Sequence, residues 1–263
     1  MAIGAILGAS VLLAAAQPAC TVQSAAARVA VVELYTSQGC SSCPPADRWL
    51  SQLPAHYATD KMVPLAFHVD YWDDLGWKDP FARPEFSRRQ RQLAARGSTS
   101  SIYTPEVYID GHEVRDWSNS RTAARVIDAA NAAPAPVRID LTLEPSATPQ
   151  EIHVTARVNG GTASAGAAAT PPVDLVLALT QSGHLTAVGA GENRGERLRD
   201  DHVVRDWQRE RVAGGAPVRR DLALPADGPR EFTLVALAYE ATTGELLQAL
   251  AFPVGDCAAL PRP

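Results

Sequence analysis

The stretch Val29–Pro45, VAVVELYTSQGCSSCPP, joins an apolar run, a turn and a Cys-x-x-Cys pair. Val29–Tyr35 is β-branched and mostly apolar, which predicts a buried strand of the parallel-sheet kind. Thr36–Gly39 reads as a turn. Pro44 and Pro45 suit the first turn of a helix, where a missing N–H costs nothing. Cys40 and Cys43 therefore fall where a strand gives way to a helix.

The surrounding chain extends this pattern. Trp49, Leu50 and Leu53 give the helix an apolar stripe, and Pro54 stops it. Met62–Val69 is a second apolar strand, so the unit is a parallel crossover. DYWDDLGWKDPFARP, from Asp70, is rich in Gly, Pro and Asp and reads as a long loop. EFSRRQRQLAAR is a helix ended by Gly97. YTPEVYIDGHEV predicts strand, Asp110-Gly111 turn and strand. SNSRTAARVIDAANAA opens on a Ser/Asn cap and predicts a helix. The order from Val29 to Ala133 is β-α-β-α-β-β-α.

Pro134–Pro136 reads as a linker, after which the pattern changes. VRIDLTLEP, EIHVTARVN, VDLVLALTQ, REFTLVALAYE and ELLQALAFPV read as strands of period two, with no helix between them. The expected fold is an α/β domain over residues 28–133 followed by an all-β antiparallel sandwich over 137–256. Gly160–Pro172 is a low-complexity loop.

With 263 residues, 46% of them hydrophobic, the chain has material for one large domain or two ordinary ones. Its net charge of −5 argues against a nucleic-acid partner. No charged side chain precedes Arg28. The apolar run Ala2–Ala16 is shorter than the roughly 20 residues that span a bilayer. It fits the core of an export leader, followed by small residues. A leader over residues 1–27 and a periplasmic or extracellular location are expected, with membrane contact only through an uncleaved leader. Cleavage after Ala16 keeps Cys20, which can then bridge to Cys257. Cleavage after Ala27 leaves Cys257 unpaired. An exported chain permits disulfides.

The cysteine pair admits three readings. A structural zinc site wants four ligands. There is no second Cys pair, and the six histidines lack metal-ligand spacing. His68 and Asp70 are further ligands only if the fold brings them close, so copper or zinc binding stays an alternative while no metal is assigned. A bridge over so short a loop removes little chain entropy, which weakens the staple reading. In the redox reading, a Cys40 thiolate faces the positive helix end. Cys43, one turn on, attacks a mixed disulfide at Cys40 and releases the partner. Such a couple needs no cofactor.

Other residues complete the candidate site. Glu33, in the strand feeding the cysteines, is either a buried proton relay for Cys43 or a strand-edge glutamate facing water. Pro105 opens the EVYID strand, the place a proline can occupy. His68, Asp70, Tyr71 and Trp72 follow the C-terminal end of a parallel strand, where ligand sites lie in α/β sheets. They form a partner-selecting wall or an aromatic plug. RRQRQLAAR reads as a solvated face. GAGENRG lacks the Lys-Ser/Thr of a phosphate loop and reads as an inter-strand loop docking on the first domain.

Together ELYTSQGCSSCPPAD, FHVDYWDDLGWKDPF, RRQ, YTPEVYIDG and GENRG resemble the uncharacterised exported thioredoxin-like family called domain of unknown function 1223. The resemblance runs from about Val29 to near the end of the chain. It implies a thioredoxin-like α/β domain in which Pro105 is cis and packs on the cysteines, while the backbone of Thr104 holds a substrate chain. It brings no established substrate. The combined expectation is an exported thiol–disulfide oxidoreductase acting on an unknown protein thiol or disulfide. Cys40 is its nucleophile, Cys43 resolves, Pro105 orients the partner and Glu33 relays protons. The alternatives are a metal-binding protein and a non-catalytic recognition module.

Overall fold

The computed structural model describes residues 19–97, 101–148, 150–160, 172–213 and 215–260. The apolar leader run and most of the low-complexity stretch after Gly160 lie outside them. Strand β1 is Cys20–Gln23 and β2 is Ala30–Thr36, every residue of which is buried. Helix α1 (Pro44–Gln52) has its two prolines in the first turn and buries Ala46 and Leu50. Strand β3 (Met62–His68) runs parallel to β2 with Leu34 opposite Ala66. The next loop contains a short 3-10 turn over Asp70–Leu75, more regular than its composition suggests. Helix α2 (Pro84–Arg96) follows. Strands β4 (Glu106–Ile109) and β5 (His112–Glu113) form a hairpin. Its turn residues Asp110 and Gly111 both have positive φ, as the tight primed turn requires. Helix α3 (Ser120–Asn131) is capped by the Asn119 side chain, which accepts from the Arg121 N–H.

Nine further strands follow among the described residues: β6 (Val137–Pro145), β7 (Glu151–Gly160), β8 (Val173–Ser182), β9 (His184–Ala187), β10 (Arg197–Asp200), β11 (Val203–Val212), β12 (Val218–Ala223), β13 (Glu231–Glu240) and β14 (Leu246–Pro253). One sheet has the order β1-β6-β7-β12, and β9 and β10 make a separate ribbon. The main sheet has eight strands in the order β14-β13-β8-β11-β3-β2-β4-β5. It runs across the Pro134–Pro136 boundary. The joint is β11 beside β3, parallel, with Val203 opposite Ala66 and the Ala66 N–H donating to the His202 carbonyl.

This continuity explains the strand sequences. On β6 and β7 buried and open residues alternate, as in a sheet with one wet face. On β8 and β14 nearly every residue is buried, so the expected period of two fails there. Leu175, Leu177 and Leu179 pack against β6 and β7, while Val176 and Ala178 join a core with Tyr35, Phe67 and Phe86. A strand buried on both faces has no side to keep polar. The outer face of β2, β3 and β4 is covered by α1 and α3 through Leu34, Leu50, Ile109 and Ile127.

Residues 20–27 belong to this fold. β1 pairs with β6, Cys20 is disulfide-bonded to Cys257, and Ala27 bridges Pro134. A leader extending to Ala27 would carry off an edge strand and a disulfide.

A buried charge cluster pins α2 to both parts of the main sheet. Arg89 grips Glu33 with two bonds, Nε–Oε2 at 2.9 Å and Nη2–Oε1 at 2.5 Å. Its Nη2 also donates to Tyr239 Oη at 3.1 Å, and the guanidinium stacks 4.6 Å from the Trp207 ring. Tyr35 donates to Glu33 at 2.8 Å. Removing one partner of a buried ion pair strands the other, which costs about 3–5 kcal/mol. Glu33→Ala is therefore expected to lower unfolding stability by about that amount in urea titration. A loss below about 1 kcal/mol would place the pair among weakly contributing surface contacts instead.

Candidate functional site

After β2 the chain turns at Ser37–Cys40 and enters α1. The Cys40 N–H donates to the Ser37 carbonyl at 3.1 Å and the Cys43 N–H to the Cys40 carbonyl at 3.2 Å. Cys40 and Cys43 are joined in a disulfide with Cα atoms 5.5 Å apart. Both residues have 0% exposure, whereas their neighbours Ser41 and Ser42 are open to solvent. Ser42 Oγ lies 3.2 Å from Cys40 Sγ and 3.5 Å from the Thr104 carbonyl. That carbonyl is 3.8 Å from Cys40 Sγ, and the Thr104–Pro105 bond is cis. Cys43 is the N-cap of α1, so the first two helical positions, Pro44 and Pro45, offer no N–H groups to an anion. The helix end is poorer in donors than the sequence position alone implied.

The candidate residues separate into three groups. Thr104 and Trp72 stand beside the pair, joined by the Trp72 Nε1–H donating to Thr104 Oγ1 at 2.8 Å. His68 and Asp70 are committed internally. His68 Nδ1 meets Asp79 Oδ2 at 2.7 Å, and Asp70 accepts from the Ser87 hydroxyl on α2. Tyr71 packs against the core that includes Phe67 and Phe86. Glu33 is the third case. Its side chain lies with Tyr35 on the α2 face of β2, away from α1, and its carboxylate is held by Arg89 and Tyr35. It is a structural ion-pair partner, which corrects the proton-relay expectation; the water-facing alternative fails too, because Glu33 is buried. Among the described residues, no three His, Cys, Asp or Glu side chains converge as metal ligands.

Several residues that shape the site were overlooked in the sequence. The buried Gln38 side chain donates to Asp200 at 2.7 Å and Thr186 at 2.9 Å and accepts from Trp77. Its backbone N–H donates to Asp79 at 2.8 Å. The loop between β9 and β10 docks on the cysteine turn itself. Asn193 Nδ2 donates to the Gln38 carbonyl at 2.9 Å and the Cys40 carbonyl at 3.0 Å. Glu192 accepts from the Ser41 N–H at 3.0 Å and the Ser41 hydroxyl at 2.7 Å. Asp47 lies one helical turn beyond Cys43, with its N–H on the Cys43 carbonyl at 3.1 Å. The i,i+4 spacing from Cys43 was its sequence signal.

Asp47, His68, Asp79 and Asp200 interact electrostatically with one another. Burial is the main cause that pushes Asp47 up to about 7, with Asp200 and Asp79 adding to it against His68 and Thr36. Burial alone would lower the His68 pKa, but the charge and hydrogen bond of Asp79 raise it to about 9. Both groups hold protons to higher pH in the folded than in the unfolded chain. Through these two groups stability falls as pH rises, but His184 and His202, lowered by burial to about 4, act in the opposite sense below about pH 6.5, so the fall is expected from about pH 7 to 9. The Asp47 contribution is present below its unfolded pKa and is lost through about 7; that of His68 is present below its own and is lost through about 9. Thermal unfolding should show Tm declining from about pH 7 to 9, and His68→Asn should flatten that decline. Asp47→Asn should make the slope of Tm between about pH 5 and 7 more positive than in the wild type. A Tm that climbs from about pH 7 to 9 in the wild type would contradict the His68 assignment, and an unchanged slope in Asp47→Asn that of Asp47.

The chain is similar in structure to HBP35 of Porphyromonas gingivalis, with a TM-score of 0.65 and 12% identity over 89% of this chain and 77% of that one. It is similar too to a structural-genomics protein from Agrobacterium tumefaciens, with a TM-score of 0.60 and 24% identity over 86% of this chain and 94% of that one. At these identities the likeness concerns the fold. No curated protein matches the chain. Residues 31–237 match DUF1223, described as a protein of unknown function, and the chain belongs to that family.

Proposed function

We propose that the chain is an exported, thioredoxin-like thiol–disulfide oxidoreductase whose redox couple is Cys40–Cys43. The observation that carries this reading is the disulfide at the strand–helix junction with the cis Thr104–Pro105 peptide against it. The thioredoxin-like reading of residues 28–133 is supported by the strand order β3-β2-β4-β5, with α1 and α3 on one face and α2 on the other. Two disulfides suit an oxidising compartment outside the cytoplasm. The partner is a protein thiol or disulfide.

In the reducing direction the Cys40 thiolate attacks a partner disulfide. One partner sulfur leaves as a thiolate, and a Cys40–partner mixed disulfide forms. Cys43 then gives up its proton and attacks Cys40 Sγ. The second partner sulfur leaves with the bonding electrons, and the Cys40–Cys43 disulfide is restored. Asp47 takes the role first expected of Glu33. It lies one turn from Cys43, and its pKa of about 7 lets it accept a proton near neutrality. The Ser42 hydroxyl is placed to donate to a thiolate at Cys40. Since both cysteines are wholly buried in the disulfide form, a partner gains access only when a covering group moves.

Redox titration of the purified protein with mass-spectrometric thiol counting should find Cys40 and Cys43 interconverting reversibly between dithiol and disulfide. A pair that resists strong reductant in the folded protein would favour the recognition-module reading. One equivalent of copper or zinc retained through purification, and lost in Cys40→Ser, would favour the metal reading. Cys43→Ser should accumulate mixed disulfides with partner proteins, because nothing remains to attack Cys40. Cys40→Ser should accumulate few. Asp47→Asn should slow resolution of the mixed disulfide at least about tenfold near pH 7. Glu33→Gln should leave that rate unchanged. Equal trapping by both cysteine variants, or slowing by Glu33→Gln instead of Asp47→Asn, would overturn the assigned roles.

A further inference from the structure

We propose that Glu192, supplied by the β-rich half of the chain, is a positioning residue that makes the Cys40–Cys43 disulfide harder to reduce, by latching a loop over the pair and opposing the Cys40 thiolate. This rests on the redox reading above. The loop Gly189–Gly195 is fastened at three points. Glu192 bonds both the N–H and the hydroxyl of Ser41, the residue following Cys40. Asn193, 5% exposed, ties the carbonyls of Gln38 and Cys40. Gly191 has a φ of +72°, and a Cβ there would come 3.0 Å from the Cβ of Trp77.

Charge gives this latch a redox sense. Cys40 and Cys43 are neutral as a disulfide. Reduction by two glutathione thiols yields the dithiol and one glutathione disulfide, and Cys40 can then ionise. A thiolate there draws stabilisation from nearby N–H groups. Pro44 and Pro45 have none, and the Ser41 N–H is already given to Glu192. The Glu192 carboxylate also sets a negative charge beside the turn where the thiolate forms, which disfavours it. The two bonds from Ser41 hold that carboxylate in its ionised form, below the usual glutamate range. By linkage, a thiolate that loosens the loop is itself disfavoured by the loop to the same factor. The loop therefore closes over the disulfide and is released on reduction.

Glu192→Gln keeps the shape and removes the charge at an exposed position. The other charged groups near the turn, Asp47 on α1, His68 at the end of β3, Asp79 in the loop after it and Asp200 on β10, stay the same. The midpoint of thiolate absorbance against pH should fall by about half a unit in the reduced variant. The glutathione equilibrium should shift about threefold toward the dithiol. Amide exchange over residues 189–195 should be slower in the oxidised than in the reduced wild type, and this contrast should shrink in Glu192→Gln. Asn193→Ala, which loosens the loop but leaves the Glu192 charge, should speed exchange and lower the absorbance midpoint by less than Glu192→Gln does. A reversible couple with the same midpoint and equilibrium in wild type and Glu192→Gln overturns this proposal alone. A pair that cannot be reduced in the folded wild type overturns it together with the proposed function.

Discussion

A guanidinium buried between two parts of one sheet must meet a carboxylate, and the arrangement around Arg89 follows from that. Arg89 lies on α2, Glu33 on β2, Trp207 on β11 and Tyr239 on β13, and all four side chains meet. Desolvating a guanidinium is costly unless its hydrogen bonds are filled, so these four elements can close only in one mutual placement. That placement sets β11 beside β3 and brings the β9–β10 ribbon to the end of β2 where the cysteines sit. The site thus depends on an interaction on the opposite face of the strand that feeds it.

Residues that interact with sequence neighbours were legible in the sequence. The strand–turn–helix at Val29–Gln52, the Asp110-Gly111 hairpin and the Asn119 cap each show a local signal with a mechanism: β-branching, proline at a helix start, positive φ, a side-chain acceptor. The β-rich half was legible only as strands. Its partition was not, because period two marks a strand with one wet face and β8 and β14 have none. Their continuous apolar runs carried the information that another layer covers them. VDLVLALTQ carries apolar residues on both parities, Val173, Leu175, Leu177 and Leu179 on one and Val176 and Ala178 on the other, which already speaks against a simple sandwich strand.

The closeness of the cysteine pair and the cis Thr104–Pro105 bond agree with the sequence reading, and the surroundings of Glu33 do not. A glutamate in a strand leading to a cysteine pair points to either face according to parity, and parity relative to the helices is a property of the packed sheet. Glu33 shares its parity with Tyr35 and Val31, which face α2. Asp47 carried the better signal, since a helix brings residues four apart together whatever the tertiary fold. Glu192 and Asn193 lie in the GAGENRG stretch, legible as a loop docking on the first domain, but no local signal marked these two side chains or their place on the cysteine turn. They reach Ser41 and Cys40 across more than 150 positions of chain.

The pair of prolines that marks the helix start also changes the chemistry there. At most helix ends free N–H groups are the strongest local source of anion stabilisation. Here two of those positions lack the group, and the N–H of Ser41, in the turn before the helix, is engaged by a carboxylate from the other half of the chain. Stabilisation of a Cys40 thiolate then falls to the Ser42 hydroxyl and to the field of a helix of nine residues. In a short helix that field fades within the first turn. On the redox reading proposed above the consequence is directional: weaker thiolate stabilisation favours the disulfide, and the loop bonded to the turn acts in the same sense. The residues that make the cysteine motif easy to recognise then bias it toward holding its disulfide closed.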